Sequence, residues 1–139
     1  MDKKQKEAGC NQRFVRNTVR QGDVVLVNFG RGSKGSRSLC GNRPVYVLSR
    51  QLKDEYGSAV LVIPLFRQES REGAGKDVEI TPAVCKGLRY SEYAQPMNLE
   101  KIRRNQIVRR IGHVKDGTVH DSLLSSMWNQ IDKSEEGSR

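Results

Sequence analysis

Long apolar runs are missing from this chain of 139 residues. That excludes a membrane-spanning helix, which needs roughly 18 consecutive apolar residues. Cysteine is scarce: the three stand at positions 10, 40 and 85, an odd count with no close pair, so no disulfide framework is in view. The opening residues, MDKKQKEAGC, lack the apolar stretch of a signal peptide, and a reducing cytoplasm is the expected compartment. With two histidines and three distant cysteines there is no metal-ligand spacing and no metal or other cofactor is expected. Gly32-Ser33-Lys34-Gly35-Ser36 has the outline of a phosphate loop but not its Gly-Lys-Ser/Thr at the required spacing, which argues against nucleotide hydrolysis. No internal repeat is visible.

Acidic residues are also missing from two long windows. Between Val24 and Arg50 the only charges are Arg31, Lys34, Arg37, Arg43 and Arg50. Between Lys101 and Lys115 they are Lys101, Arg103, Arg104, Arg109, Arg110 and Lys115. The acids gather instead at Asp54-Glu55, from Glu69 to Glu79 and in the tail, and the formal net charge is +9. Two basic blocks in one small domain suggest a polyanionic partner, because Lys and Arg near phosphates release condensed counterions. A solvated basic surface serving only solubility is the competing reading. For the second block the alternatives are a further RNA or dimer surface and a charged edge that discourages aggregation.

What is present reads as several short strands and one helix. Residues 1–18 form a polar arm, loose over 1–12 and leading in over 13–19. Asp23 to Phe29 is β-branched and stops at Gly30, as a strand does. Residues 30–42 hold four glycines and three serines and make a loop. Val45 to Leu48 is a second strand, with Pro44 expected at its start or edge. Ala59 to Phe66 is the most apolar stretch and the expected central strand. Shorter strands are expected at Asp77–Ile80, Glu92–Met97 and Gln106–Ile111, with a turn over Leu99–Asn105. Asp121 is a candidate N-cap for a helix in which Leu123, Leu124, Met127, Trp128 and Ile131 share one face. That stripe reads as core, with Trp128 as a further candidate for a dimer seam. The domain spans 19–132, and 133–139 reads as a polar tail. The fold class is mainly β (α+β): a small curved sheet or barrel with a packed C-terminal helix.

Gly22-Asp23-Val24, the Gly-rich loop and Gly41-Asn42-Arg43-Pro44-Val45-Tyr46-Val47-Leu48-Ser49 resemble the MazF/PemK (Kid) toxin family. Leu61-Val62-Ile63-Pro64-Leu65 and Asp77-Val78-Glu79-Ile80 are similar to its next strands. Gln95, Leu99, Glu100 and Lys101 resemble a later family stretch whose basic place falls here at Met97. The resemblance covers about residues 19–131. It implies an SH3-like small barrel of the MazF/PemK/CcdB type in a symmetric homodimer. It implies a metal-independent, ribosome-independent endoribonuclease that cuts single-stranded mRNA at short sequences through a 2′,3′-cyclic phosphate. It also implies an antitoxin peptide that blocks the RNA groove.

Arg43, the arginine of Gly-x-Arg-Pro, is the implied catalytic residue, since its guanidinium can grip a phosphate bidentately as charge develops. Its bland alternative is an ion pair with an acid such as Asp23. The family's Thr or Ser after the next strand falls at Phe66, which has no hydroxyl. Gln68 or Ser70 then offers the polar contact, or Phe66 stacks on a base, or it is simply core, or the chain is an inactive relative that still binds RNA or antitoxin. The resemblance places Phe29, Arg31, Lys34 and Arg37 along the RNA path, with Asn42, Phe66, Arg67 and Gln95 beside them. His113 and His120 form a candidate acid–base pair across an expected turn at Asp116-Gly117, though ordinary surface histidines are the commoner case. Cys40 is a reactive thiol only where exposed in an electropositive setting. Gyrase poisoning, known in a fold relative, is a third activity on the same scaffold.

Overall fold

A computed structural model of the chain describes residues 19–31, 39–69 and 77–137, with side chains as far as Ile131. Its organising element is the apolar stretch the sequence marks as central. β4 (Gly57–Phe66) is ten residues long and pairs antiparallel with four strands. Its first half meets β3 (Leu52–Asp54) and β7 (Glu100–Arg103); its second half meets β2 (Asn42–Val47) and β6 (Glu92–Ala94). β1 (Asp23–Asn28) lies between β2 and β8 (Ile107–His113), and β5 (Val78–Ile80) pairs with β6. The path is therefore β5-β6-β4-β2-β1-β8. The result is a curled antiparallel half-barrel with one C-terminal helix, α1 (Gly117–Gly137).

The sheet is buried on both faces, and the alternation of side chains sorts the core in two. Val24, Tyr46, Ile63 and Leu65 face α1, where they meet Val119 and Leu123. Val25, Val27, Val45, Val47, Val60 and Val62 face the inside of the curl with Ile102 and Ile107. Valine and isoleucine suit this double burial because branched side chains pack well on a pleated surface. No described helix is long and apolar enough to cross a membrane.

Several sequence expectations change. Leu99–Asn105 contains β7, because Ile102 drops into the valine-rich core and Lys101 registers with Leu61. β3 also forms, short and largely exposed, against the start of β4. The strand expected through Met97 ends at Ala94, and Pro96–Asn98 is a 3₁₀ turn. Pro44 sits inside β2 rather than at its start. The β2–β4 ladder begins only at Val45, so Pro44 is paired with Leu26 on one side, and the missing N–H is tolerated there.

The helix begins earlier than Asp121. Asp116 is the residue that caps it: its Oδ1 accepts from the Thr118 backbone N–H at 2.9 Å and the Thr118 hydroxyl at 2.8 Å. These bonds hold the Asp116 carboxyl below the usual range. Asp121 lies within α1. The apolar stripe is wider than the surface it covers: Leu123 is buried and Met127 half-buried, but Leu124, Trp128 and Ile131 are exposed, Trp128 at 65%. They follow one another at i, i+4 and i+7 on a strip rotated off the sheet.

Candidate functional site

The Gly-rich segment is the connection of the β1–β2 hairpin, and its base is closed by backbone bonds. The Phe29 N–H donates to Gly41 O at 2.9 Å, and Gly41 N–H to Gly30 O at 2.7 Å. Gly30 and Gly41 adopt φ of +71° and +66°, a conformation that other residues adopt at a cost. Arg31 and Asn42 are exposed at this base, Phe29 is half-buried against the valine core, and Cys40 is exposed. Lys34 and Arg37 lie outside the described residues, as does Ser70.

The strand register carries the valine face outward to this loop. Val27 pairs with Arg43, and Val45 with Pro64, so two steps further on Arg43 is level with Phe66. The two side chains meet: the guanidinium carbon lies 4.7 Å from the Phe66 ring centroid. This cation–π contact holds the charge over an apolar plate without neutralising it. Arg43 Nε is buried and has no hydrogen-bond partner among the described residues. Such a donor is costly unless a ligand satisfies it.

On the other face of the sheet from this pair stands a buried acid that sequence reasoning missed. Glu92, the first residue of β6, is buried, with its side chain 9% exposed. The nearest cation atom is Arg67 Nε, 3.7 Å from Oε2, beyond hydrogen-bond range. Burial pushes the Glu92 carboxyl up, and the charges of Arg67 and Arg43 pull it partly back. Arg67 in turn lies on Tyr90, 3.7 Å from the ring centroid, with its side chain 60% exposed. No spacing in the sequence marks it: its inward position beside Ala94, where a charge is rare, emerges only from the register of β6.

Other sequence-marked residues fall elsewhere. Gln68 is exposed one residue beyond Arg67. Gln95 is half-buried just after β6, and its side chain accepts from Asn98 Nδ2 at 2.6 Å. Asp23 is not the partner of Arg43. It is fully buried, with His113 Nδ1 at 2.7 Å and Arg110 Nε at 3.2 Å, and it accepts from the Arg20 N–H at 3.0 Å. The histidines are no pair across a turn. His113 ends β8 on Asp23, whereas His120 lies in α1, 2.9 Å from both the Tyr46 hydroxyl and Gln21 Nε2. Burial and then the Asp121 charge push the Tyr46 phenol up to about 12.

The second basic block is largely spent inside the molecule. Arg103 grips Asp54 bidentately at 2.7 and 2.8 Å, Lys101 reaches the same carboxylate at 2.9 Å, and Arg104 donates to Gln51 Oε1 at 2.6 Å. With Arg110 on Asp23, Arg109 and Lys115 are the block's remaining exposed cations. The block ties β7 and β8 to their neighbours.

A profile described as PemK-like, MazF-like toxin of type II toxin–antitoxin system matches residues 20–123. The chain belongs to that family. Solved MazF structures share the fold. The Mycobacterium tuberculosis toxin MazF-mt6 is 21% identical with a TM-score of 0.58, over 79% of this chain and 96% of that one. MazF from Deinococcus radiodurans is 13% identical with a TM-score of 0.63, over 82% and 96%. The same organism's MazE–MazF complex is 15% identical with a TM-score of 0.60, over 82% and 96%. No curated protein sequence matches the chain. The toxin-family match takes in Arg43, Phe66 and Glu92, and ends at Leu123, before the exposed strip of α1.

Proposed function

We propose that this toxin-family protein is a metal-independent endoribonuclease that cuts single-stranded mRNA at short sequences in the cytoplasm. One observation carries the reading: Arg43 is poised over Phe66 with a buried Nε that has no hydrogen-bond partner among the described residues, beside the closed base of the β1–β2 hairpin. In-line cleavage by the 2′-OH places growing negative charge on the phosphoryl oxygens. A fixed guanidinium that no described carboxylate neutralises is suited to receive it. Arg43 is the catalytic residue in this reading. Arg31, Asn42 and Arg67 lie along the strand's path, with Lys34 and Arg37 of the loop. Phe29 and Phe66 offer ring faces on which bases stack, with Gln95 further along and Gln68 or Ser70 as supporting polar contacts.

An acidic antitoxin segment is the natural antagonist, because it competes with phosphates for the same cations. The solved MazE–MazF complex is a relative of that arrangement. Pairing of two chains completes the reading, and the exposed Trp128 strip is one candidate seam.

A second reading rests on Phe66. A ring stands where a hydroxyl would otherwise meet the phosphate, and a module that binds RNA or antitoxin without cutting fits that substitution. Incubation with a long RNA in EDTA, followed by sequencing of the ends, separates the two. The nuclease reading expects defined cuts with 2′,3′-cyclic phosphate ends that vanish in Arg43→Ala. Binding without cutting supports the silent module.

A further inference from the structure

Phe66 leaves β4 without a hydroxyl beside Arg43, and the cross-strand register brings one in from the next strand. Val27 of β1 pairs with Arg43, which is level with Phe66 of β4. Phe66 pairs with Tyr93 of β6, and Tyr93 with Glu79 of β5. Residues directly opposite one another in an antiparallel ladder share a face. Arg43, Phe66, Tyr93 and Glu79 therefore stand in one row, on the face away from Leu65, Ala94 and Ile80, which pack towards α1. Tyr93 is half-buried, and among the described residues its hydroxyl makes no hydrogen bond. We propose that Tyr93 is a catalytic residue of this site, its phenol donating to the scissile phosphate from the side of Phe66 away from Arg43. The proposal rests on the nuclease reading and deepens it.

The spacing suits two donors on one phosphate. Neighbouring strands lie about 4.8 Å apart, so β2 and β6 flank this end of β4 at roughly twice that distance. The Arg43 guanidinium leans into the interval, 4.7 Å from the Phe66 ring centroid. A phosphate gripped there is about one strand spacing from β6, a span that the long phenol side chain covers. Tyr46 shows the contrast: its hydroxyl is already engaged, 2.9 Å from His120 Nδ1. Tyr93 has no such bond and no ring contact among the described residues, so its phenol is free to turn to a ligand. Glu79 closes the row. Its exposed carboxylate repels an anion, which sets the phosphate between Arg43 and Tyr93 rather than beyond the phenol.

The step balances without a metal. The 2′-OH proton passes to solvent water, and the 2′-oxygen forms a bond to phosphorus. The bond from phosphorus to the 5′-oxygen breaks, and that oxygen takes a proton back from solvent. The products are a 2′,3′-cyclic phosphate and a 5′-hydroxyl. Tyr93 keeps its proton throughout. Its O–H donates to a phosphoryl oxygen, and the bond strengthens as charge gathers there, which favours the transition state over the bound substrate.

The test compares wild type, Tyr93→Phe and Tyr93→Ala on an RNA oligonucleotide containing a mapped cut site, in EDTA. Binding is read with the same oligonucleotide carrying a 2′-deoxy sugar at the cut. Tyr93→Phe, which removes the hydroxyl and keeps the ring, is expected to lower kcat about 10²–10³-fold and to leave binding of the deoxy oligonucleotide within about threefold. A second readout uses the two phosphorothioate isomers of the scissile phosphate. Wild type is expected to cut them at different rates, because sulfur accepts poorly where the phenol donates, and Tyr93→Phe narrows that difference. Cutting by Tyr93→Phe at the wild-type rate overturns the assignment and leaves the nuclease reading standing, even where Tyr93→Ala weakens binding through the lost ring. Parallel loss of binding and rate in both variants, with the isomer difference unchanged, shows a structural role and also overturns it. No cutting by wild type takes down both readings together.

Discussion

Two buried carboxylates, Asp23 and Glu92, lie in the same curled sheet and are treated in opposite ways. Asp23 is enclosed: a histidine, an arginine and a backbone N–H all converge on it, at 2.7, 3.2 and 3.0 Å. Glu92 has one cation at 3.7 Å and the field of Arg43. The enclosed acid ties the start of β1 to β8, and its geometry leaves little for a ligand to add. Towards the other end of the sheet the groups are left unsaturated: Arg67 stops 3.7 Å short of Glu92, and Arg43 Nε has no hydrogen-bond partner among the described residues. That is the condition under which a phosphodiester gains more than water does. Both clusters are cation-rich, so net charge alone does not separate them.

The sharpest break in the comparison comes from removing the enclosed acid. Asp23→Ala leaves Arg110 and His113 without their buried partner, and about 3–5 kcal/mol of folding stability is expected to go. Urea unfolding followed by tryptophan fluorescence measures it. The same kind of truncation at the unsaturated end has the reverse signature. Arg43→Ala is expected to cost about 10²–10³-fold in cleavage rate, while the unfolding midpoint stays close to wild type, because no described ion pair is lost.

A smaller effect sharpens the role of the plate beneath the guanidinium. Phe66→Ala is expected to weaken single-stranded RNA binding by about 1–3 kcal/mol, read by fluorescence anisotropy at fixed salt. A loss of stability with unchanged binding would mark Phe66 as plain core. The subtlest change is at Arg67. Its charge lowers the Glu92 pKa, so Arg67→Gln lets that pKa rise further. The Glu92 carboxyl resonance, followed by NMR across pH, then titrates at higher pH than in wild type. A midpoint that moves to lower pH contradicts this placement of charges.

Much of the fold was legible because burial on both faces leaves a strong apolar signal. The runs Val24–Val27, Val45–Leu48 and Ala59–Leu65 are β1, β2 and β4, and little else can accommodate them. The weak elements were illegible for the same reason in reverse. β3 is Leu52-Lys53-Asp54, largely exposed, and exists because β4 is long enough to accept it. β7 hangs on the single inward residue Ile102 among charged neighbours. The helix start was misplaced because Asp116 and Asp121 are chemically equal as caps. Only the position of Val119 and Leu123 in the core selects the earlier one.

At the site, Arg43 was readable from its motif, whereas Glu92 was a lone acid in the polar stretch Ser91–Tyr93, with no spacing to mark it. The block from Lys101 to Lys115 misled in the other direction. Its partners Asp54 and Asp23 lie 47 and 87 residues away in sequence from Lys101 and Arg110, and only the sheet brings them together.

The most direct measurement follows individual side chains as RNA is added. In EDTA, the Arg43 Nε–H and Phe66 ring resonances are expected to shift and saturate with a single-stranded 2′-deoxy-blocked oligonucleotide, while the His113 ring and Arg110 Nε–H stay still. Saturable shifts at His113 and Arg110, with Arg43 and Phe66 unmoved, would place the ligand on the enclosed acid's side and contradict the account.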